Sequence, residues 1–528
     1  MGYGAGPGAA ADLPTGNADL VDETNAGPAN PTSSRRGRRI IDLDAADLSA
    51  AIRQRDVSCV EVMTAYLDHI DALNPQVNAI VNVRTRADLL AEAEGKDRQL
   101  AAGEYLGWMH GFPHAVKDLA NVAGFKTTQG FFRPPFDVPP ASSDALAIER
   151  IRAAGAIFIG KTNASEFGLG SHTYNNVFGT TLNAYNQTRS AGGSSGGASV
   201  AVALRMLPVA DGSDFFGSLR NPPAWNNLLG LRPSFGRVPG LNTDVFLQQF
   251  GVEGPIARTA TDLALLLRTM AGYDERVPLS IEQDVSGYPD NLDGDFTGLK
   301  VAWLGDLGGY LPMEPGVLEL CRQAFPVFEA LGMEVTDQPR LPTATSFAGN
   351  ADLWPMFLVY RHWLIGSQLN AVYRNPKLRA ALKPEAIYEI EGLFSGADGN
   401  PPISALDVYN ASVKRTSMHQ AFRKLFSRVK FVALPAAQVF PFDAQLHWPE
   451  QINGVAMSSY HRWMEVTAIG TLLGYPVISL PVGFNDNGLS MGIQVIAANH
   501  QDLALLQLAR SWEQQTRWVQ DNPPALVG

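Results

Sequence analysis

The sequence predicts an α/β fold layered around one β-sheet. Two observations carry this reading. Short apolar runs alternate with amphipathic helical stretches over most of the chain, the pattern of a sheet covered by helices. The composition, 45% hydrophobic and 18% charged over 528 residues, is that of an ordinary globular chain with material for a large core.

The elements follow in order. Ser58 and Glu61 form an S-x-x-E capping box. Behind it Val60, Met63, Leu67, Ile70 and Leu73 recur at helical spacing. VNAIVNV (77–83) reads as a strand, and HAVKD (114–118) as a short strand after a turn containing Gly111 and Pro113. DALAIERIRAAG (144–155) is a helix stopped by Gly155, and AIFI (156–159) is the strand that follows. ASVAVALRM (198–206) continues as a helix, LPVAD (207–211) as an apolar strand and TDLALLLRTMAG (261–272) as an amphipathic helix whose apolar stripe is core. KVAWL (300–304), FVALP (431–435), PVISLPV (476–482) and MGIQVIA (491–497) are further buried strands. From about 280 to 450 the helices are longer and the strands fewer, which reads as a variable helical insertion or cap. Residues 1–38 read as a disordered leader, rich in Gly, Ala, Pro, Asn and Asp, and 39–528 as a single domain.

Charge and cysteine content narrow the function. The net charge of −11 is spread along the chain, so there is no basic footprint for nucleic acid or an anionic membrane. No apolar run is long enough to span a bilayer. Cys59 and Cys321 are far apart and without metal-ligand spacing, so neither a disulfide framework nor a metal site is expected, and a cytoplasmic location fits. Ser34-Arg35-Arg36 matches the start of a twin-arginine signal, but the chain continues IIDLDAADLSAA instead of an apolar stretch.

Two motifs match in letters and fail in context. GAIFIGKT (155–162) fits the phosphate-loop pattern, yet Ala, Ile, Phe and Ile belong in a strand, not in a turn of phosphate-facing N–H groups. GGSSG (192–196) fits the G-x-S-x-G elbow, yet polar NAYNQTRSA precedes it where an apolar strand is required.

Three segments remain. GFPHAVKD (111–118) ends a strand with Lys117; GGSSGG (192–197) is a serine turn; DGSDFFGSLRNP (211–222) follows LPVAD. Segments leaving strand ends gather at one edge of an α/β sheet, where ligands bind. The three, with ERIRAAGAIFIGKTNASEFGLG (149–170) and GYPVISLPVGFNDNGLSMGIQVIA (474–497), resemble the amidase signature family in family order, from about residue 40 to 515. The resemblance implies a large mixed sheet flanked by helices on both faces and a Ser-cisSer-Lys amidohydrolase. It implies Lys117 as base, Ser194 as the bridging serine after a cis peptide, and Ser218 as nucleophile, 24 positions beyond Ser194.

Those residue types suit the chemistry. A serine hydroxyl needs a base, and lysine serves only when neutral, a form that burial favours. Ser194 passes the proton of Ser218 to Lys117 and returns it to the leaving amine. Gly192 and Gly193 accommodate the backbone before Ser194, Gly196 and Gly197 turn the chain into the next helix, and Ser195 supports the turn. Backbone N–H groups of Phe215, Phe216, Gly217 and Ser218 are the oxyanion-hole candidates. Phe215 and Phe216 replace the small residue and glycine usual in the family, and the rings point to a hydrophobic or aryl acyl group. Asp214 and Arg220 are expected to pair and hold the loop. His114 and Asp118 read as structural, Lys161 as a turn lysine, and His447 and Trp448 as candidates for substrate contact.

The expected activity is hydrolysis of small-molecule amides through an acyl-serine, with no metal or other cofactor, by a monomer or homodimer. Carbamate or ester hydrolysis by the same residues is one alternative. Another is the glutaminase-type component of a tRNA-dependent amidotransferase, although Asn221 stands where that component has glutamine.

Overall fold

Ser58 opens the first long helix, Cys59–Val77, with the reciprocal capping box its sequence encodes. Helix 59–77 buries Met63, Leu67, Ile70 and Leu73 along one face. It ends at Asn78, in the left-handed region at φ 52°, and only Ile80–Val81 of the expected 77–83 strand pairs. The computed structural model describes residues 38–241, 244–396 and 399–528. The leader expected over 1–38, with Arg35 and Arg36, lies outside these apart from Arg38. Among the described residues no helix is long and apolar enough to cross a membrane.

In chain order the strands begin with β1 (Ile80–Val81), β2 (Pro113–Lys117) and β3 (Ile157–Thr162). These three form a small sheet in which β3 pairs parallel to β2 and antiparallel to β1. The phosphate-loop letters therefore lie in a fully buried strand, and Lys161 donates to the Ala120 carbonyl instead of facing a turn. A hairpin of β4 (Tyr174–Asn175) and β5 (Gly179–Thr180) follows. Then come β6 (Ala210–Asp214), β7 (Leu229–Arg232), β8 (Val252–Ala257), β9 (Lys300–Trp303), β10 (Glu334–Asp337) and β11 (Phe431–Pro435). A second hairpin, β12 (Gln451–Ile452) with β13 (Val455–Ala456), precedes β14 (Val477–Phe484) and β15 (Ser490–Ala497).

Eight of these strands form the main sheet, in the order β10-β9-β11-β15-β14-β7-β8-β6. The β10–β9–β11 pairings are parallel and the others antiparallel, so the sheet is mixed. Alternate side chains of a strand point to opposite faces, yet β15 is buried at every position and β14 at all but its last. Both faces of the sheet are therefore covered.

Two strands and one region depart from expectation. The strand placed at 207–211 runs instead from Ala210 to Asp214, because ADGSD pairs residue for residue with β8 despite its polarity. β8 itself, VEGPIA, is hidden in sequence by its Gly-Pro pair. Strands β9, β10 and β11 lie within 280–450, so that stretch builds one edge of the sheet and is more than a cap. It also carries the helices Asn350–Arg374 and Ala405–Phe426.

Candidate active site

β2 is buried along its whole length and delivers Lys117 at its end. The serine turn enters the helix Gly196–Ala203, and β6 leads into the segment carrying Ser218. These elements bring Lys117, Ser194 and Ser218 together. Lys117 Nζ lies 2.9 Å from Ser194 Oγ, which lies 3.0 Å from Ser218 Oγ. All three side chains are buried.

The turn is fixed by close packing. The Gly193–Ser194 peptide is cis. Ser171 Oγ donates to the Gly193 carbonyl and accepts the Gly193 N–H, at 2.7 and 3.1 Å. Gly192 takes the positive φ, 76°, whereas Gly193 is required for space: a Cβ there would lie 2.7 Å from the His172 nitrogen.

Lys117 has more partners than the sequence suggests. Its ammonium donates to Ser195 Oγ at 2.7 Å and to Ser213 Oγ and the Ser213 carbonyl at 3.0 and 3.1 Å. Ser195 therefore touches the lysine itself. Sequence reasoning misses Ser213; its only signal there is its place one residue before the end of β6, beside Asp214. Burial pushes Lys117 down to about 7, against Asp214, Asp211 and Glu253, which favour its charge.

Asp214 organises the next loop. It accepts Arg220 Nε and Nη2 at 2.9 and 3.0 Å, with Arg232 Nη1 at 3.2 Å, and all these side chains are buried. Burial opposes its charge, but the two guanidinium groups hold its carboxyl well below the usual range. Asp214 also takes the Gly217 N–H at 2.8 Å. This corrects the four-member oxyanion set: the Gly217 donor is already committed. The N–H groups of Phe215, Phe216 and Ser218 have no acceptor among the described residues. Phe216 needs no positive φ, because Gly217 supplies it at 94°.

The aromatic pair faces the helix Asn350–Arg374. Phe216 stacks on Phe357 with centroids 4.0 Å apart, and the Arg361 guanidinium sits 4.7 Å over the Phe215 ring. His447 stacks on Tyr174. His114 meets Asp211 at 3.0 Å, and Asp118 accepts from Thr128.

A family model described as Amidase matches residues 61–506. The chain belongs to the amidase signature family. An acylamidase from Rhodococcus erythropolis is 32% identical to it, over 91% of this chain and 97% of the relative. A glutamyl-tRNA(Gln) amidotransferase chain from Thermosynechococcus vestitus is 31% identical, over 90% of this chain and 98% of the relative. Among solved structures, a bacterial aryl acylamidase of the amidase signature family superposes with a TM-score of 0.82 at 26% identity, covering 92% of this chain and 98% of that one. This amidase is accordingly an amidohydrolase, and its mixed sheet flanked by helices is the family fold.

Proposed function

We propose that this amidase hydrolyses carboxylic amides, of the acylamidase type, through an acyl intermediate on Ser218. The observation that carries the proposal is the unbroken chain from Lys117 Nζ through Ser194 Oγ to Ser218 Oγ, at 2.9 and 3.0 Å. With Lys117 neutral, Ser218 Oγ attacks the carbonyl carbon. Its proton passes to Ser194 as the proton of Ser194 passes to Lys117. Phe215, Phe216 and Ser218 N–H groups supply donors for the alkoxide. On collapse the C–N bond breaks, and the relay returns a proton to the leaving nitrogen. Water then attacks the acyl-serine by the same relay and releases the acid.

The acylamidase relatives and the phenylalanines at 215 and 216 favour an aryl or hydrophobic amide. Purified enzyme is tested on aryl and aliphatic amides with their ester and carbamate counterparts, beside Ser218→Ala. Amide turnover with a trappable acyl adduct on Ser218 is expected. Undiminished turnover by Ser218→Ala overturns the nucleophile. The amidotransferase relatives favour a second reading, tested by glutaminase activity that appears only with a partner protein.

A further inference from the structure

β6 and β8 pair in antiparallel register, Ser213 opposite Glu253 and Asp211 opposite Pro255. Opposed residues share a face, as do residues two apart on one strand. Asp211, Ser213 and Glu253 therefore present side chains to the same side of the sheet edge. Ser213 shows which side this is, because its Oγ lies 3.0 Å from Lys117 Nζ. Asp211 grips the lysine's own strand: Oδ2 accepts the Lys117 backbone N–H at 3.2 Å, and Oδ1 meets His114 Nε2 at 3.0 Å.

The proposed relay uses none of these three residues. We propose that Asp211 and Glu253 are positioning residues for Lys117, an acidic wall, braced by His114, that steadies the lysine and stabilises its ammonium form. This inference rests on the assignment of Lys117 as base.

The surroundings single out Glu253. Three carboxylates act on Lys117: Asp211 and Asp214 from β6, and Glu253 from β8. Asp214 is engaged by Arg220 and Arg232. Asp211 is engaged by His114 and the Lys117 N–H. On β2, His114 is in contact with Asp211. On β3, Lys161 turns its Nζ to the Ala120 carbonyl. The helix Gly196–Ala203 carries no ionisable side chain. Glu253 is half-buried, and its proton affinity answers to burial, to Asp211 and to Lys117. Burial and the Asp211 carboxylate push Glu253 up to about 7, so it gains and loses its proton in the range where the lysine does.

The wall offsets part of the burial effect. Removing a carboxylate makes the ammonium less favourable, so the neutral base persists to lower pH. The test is the pH profile of kcat/KM on an aryl amide for the parent, Glu253→Gln, Glu253→Asp, Asp211→Asn and Lys117→Ala. Glu253→Gln is expected to shift the acid limb down by up to about half a pH unit, a gain of at most roughly threefold read near pH 7, where Glu253 is partly ionised, and to match the parent at pH 6, where Glu253 is protonated. Glu253→Asp, which keeps the charge, is expected to stay near the parent. Asp211→Asn is expected to shift the limb the same way and lower kcat, since the backbone anchor weakens. A parent limb that vanishes in Lys117→Ala yet stays fixed in Glu253→Gln overturns the wall and leaves the base assignment intact. A parent with no acid limb overturns both.

Discussion

Lys117 is a buried amine among hydroxyls, and that environment sets its pH behaviour. Burial lowers its proton affinity to about 7, below its ordinary value. In the proposed relay the active form is the neutral one, so the sign is fixed: kcat/KM is expected to rise as pH climbs through about 7 and to level off above it. Stopped assays across pH 5 to 10 check this, and a profile falling over that interval contradicts the base assignment. Ser194 and Ser195 both touch the lysine, but only Ser194 reaches Ser218. Ser194→Ala is therefore expected to lose roughly three orders of magnitude in kcat, as removal of a relay member does, and Ser195→Ala about tenfold. Equal losses in both argue against a relay through Ser194. The meeting of Lys117, Ser194 and Ser218 was legible in sequence through the resemblance of their segments to the family. Asp211, Ser213 and Glu253 were not, because their meaning lies in strand register, and ADGSD and VEGPIA look like loops until they pair.

At the scale of elements, the loop between β6 and the helix Asn221–Trp225 holds its shape by two different means. Asp214 ties the end of β6 to Arg220 and to Arg232 of β7, and all three side chains are fully buried. Asp214→Asn leaves two buried guanidinium groups short of a counter-charge, and about 3–5 kcal/mol of stability is expected to go, read from denaturant unfolding. Gly217 acts sterically: its φ is 94°, and a Cβ would lie 2.3 Å from Asn221 Oδ1. Gly217→Ala is expected to cut kcat by at least about a hundredfold through displaced N–H donors, with a smaller loss of stability than Asp214→Asn. A fully active Gly217→Ala removes the loop from the oxyanion role. The Asp214–Arg220 pair was expected because the two residues flank Ser218, but the capture of the Gly217 N–H by Asp214 was not, since it depends on how sharply the loop folds back.

At the scale of the whole molecule, the stretch 280–450 meets the site through Phe357 on Phe216 and Arg361 over Phe215, and Arg361 is held by one buried charge. Glu389, on the helix Pro384–Phe394, accepts Arg361 Nε at 3.0 Å, His362 Nδ1 at 2.9 Å and the Tyr460 hydroxyl. Burial opposes its ionisation, yet Arg361 leads the neighbours that hold its carboxyl far below the ordinary range. Arg361 in turn lies over Phe215, in the loop that carries Ser218. The sequence showed helices here and gave no sign of this connection, because the partners are 28, 27 and 71 positions from Glu389. Glu389→Gln keeps the shape and removes the charge, so Arg361 stays buried without its counter-ion. A loss of about 3 kcal/mol in unfolding free energy is expected, with kcat/KM falling about tenfold as Phe215 loses its fixed neighbour. The acid limb of the pH profile should stay where it is, because Glu389 is not among the groups that act on Lys117. Activity that falls with an unmoved limb separates this outer support from the carboxylates behind the lysine; a limb that moves shows that the helical stretch reaches the base as well as the loop.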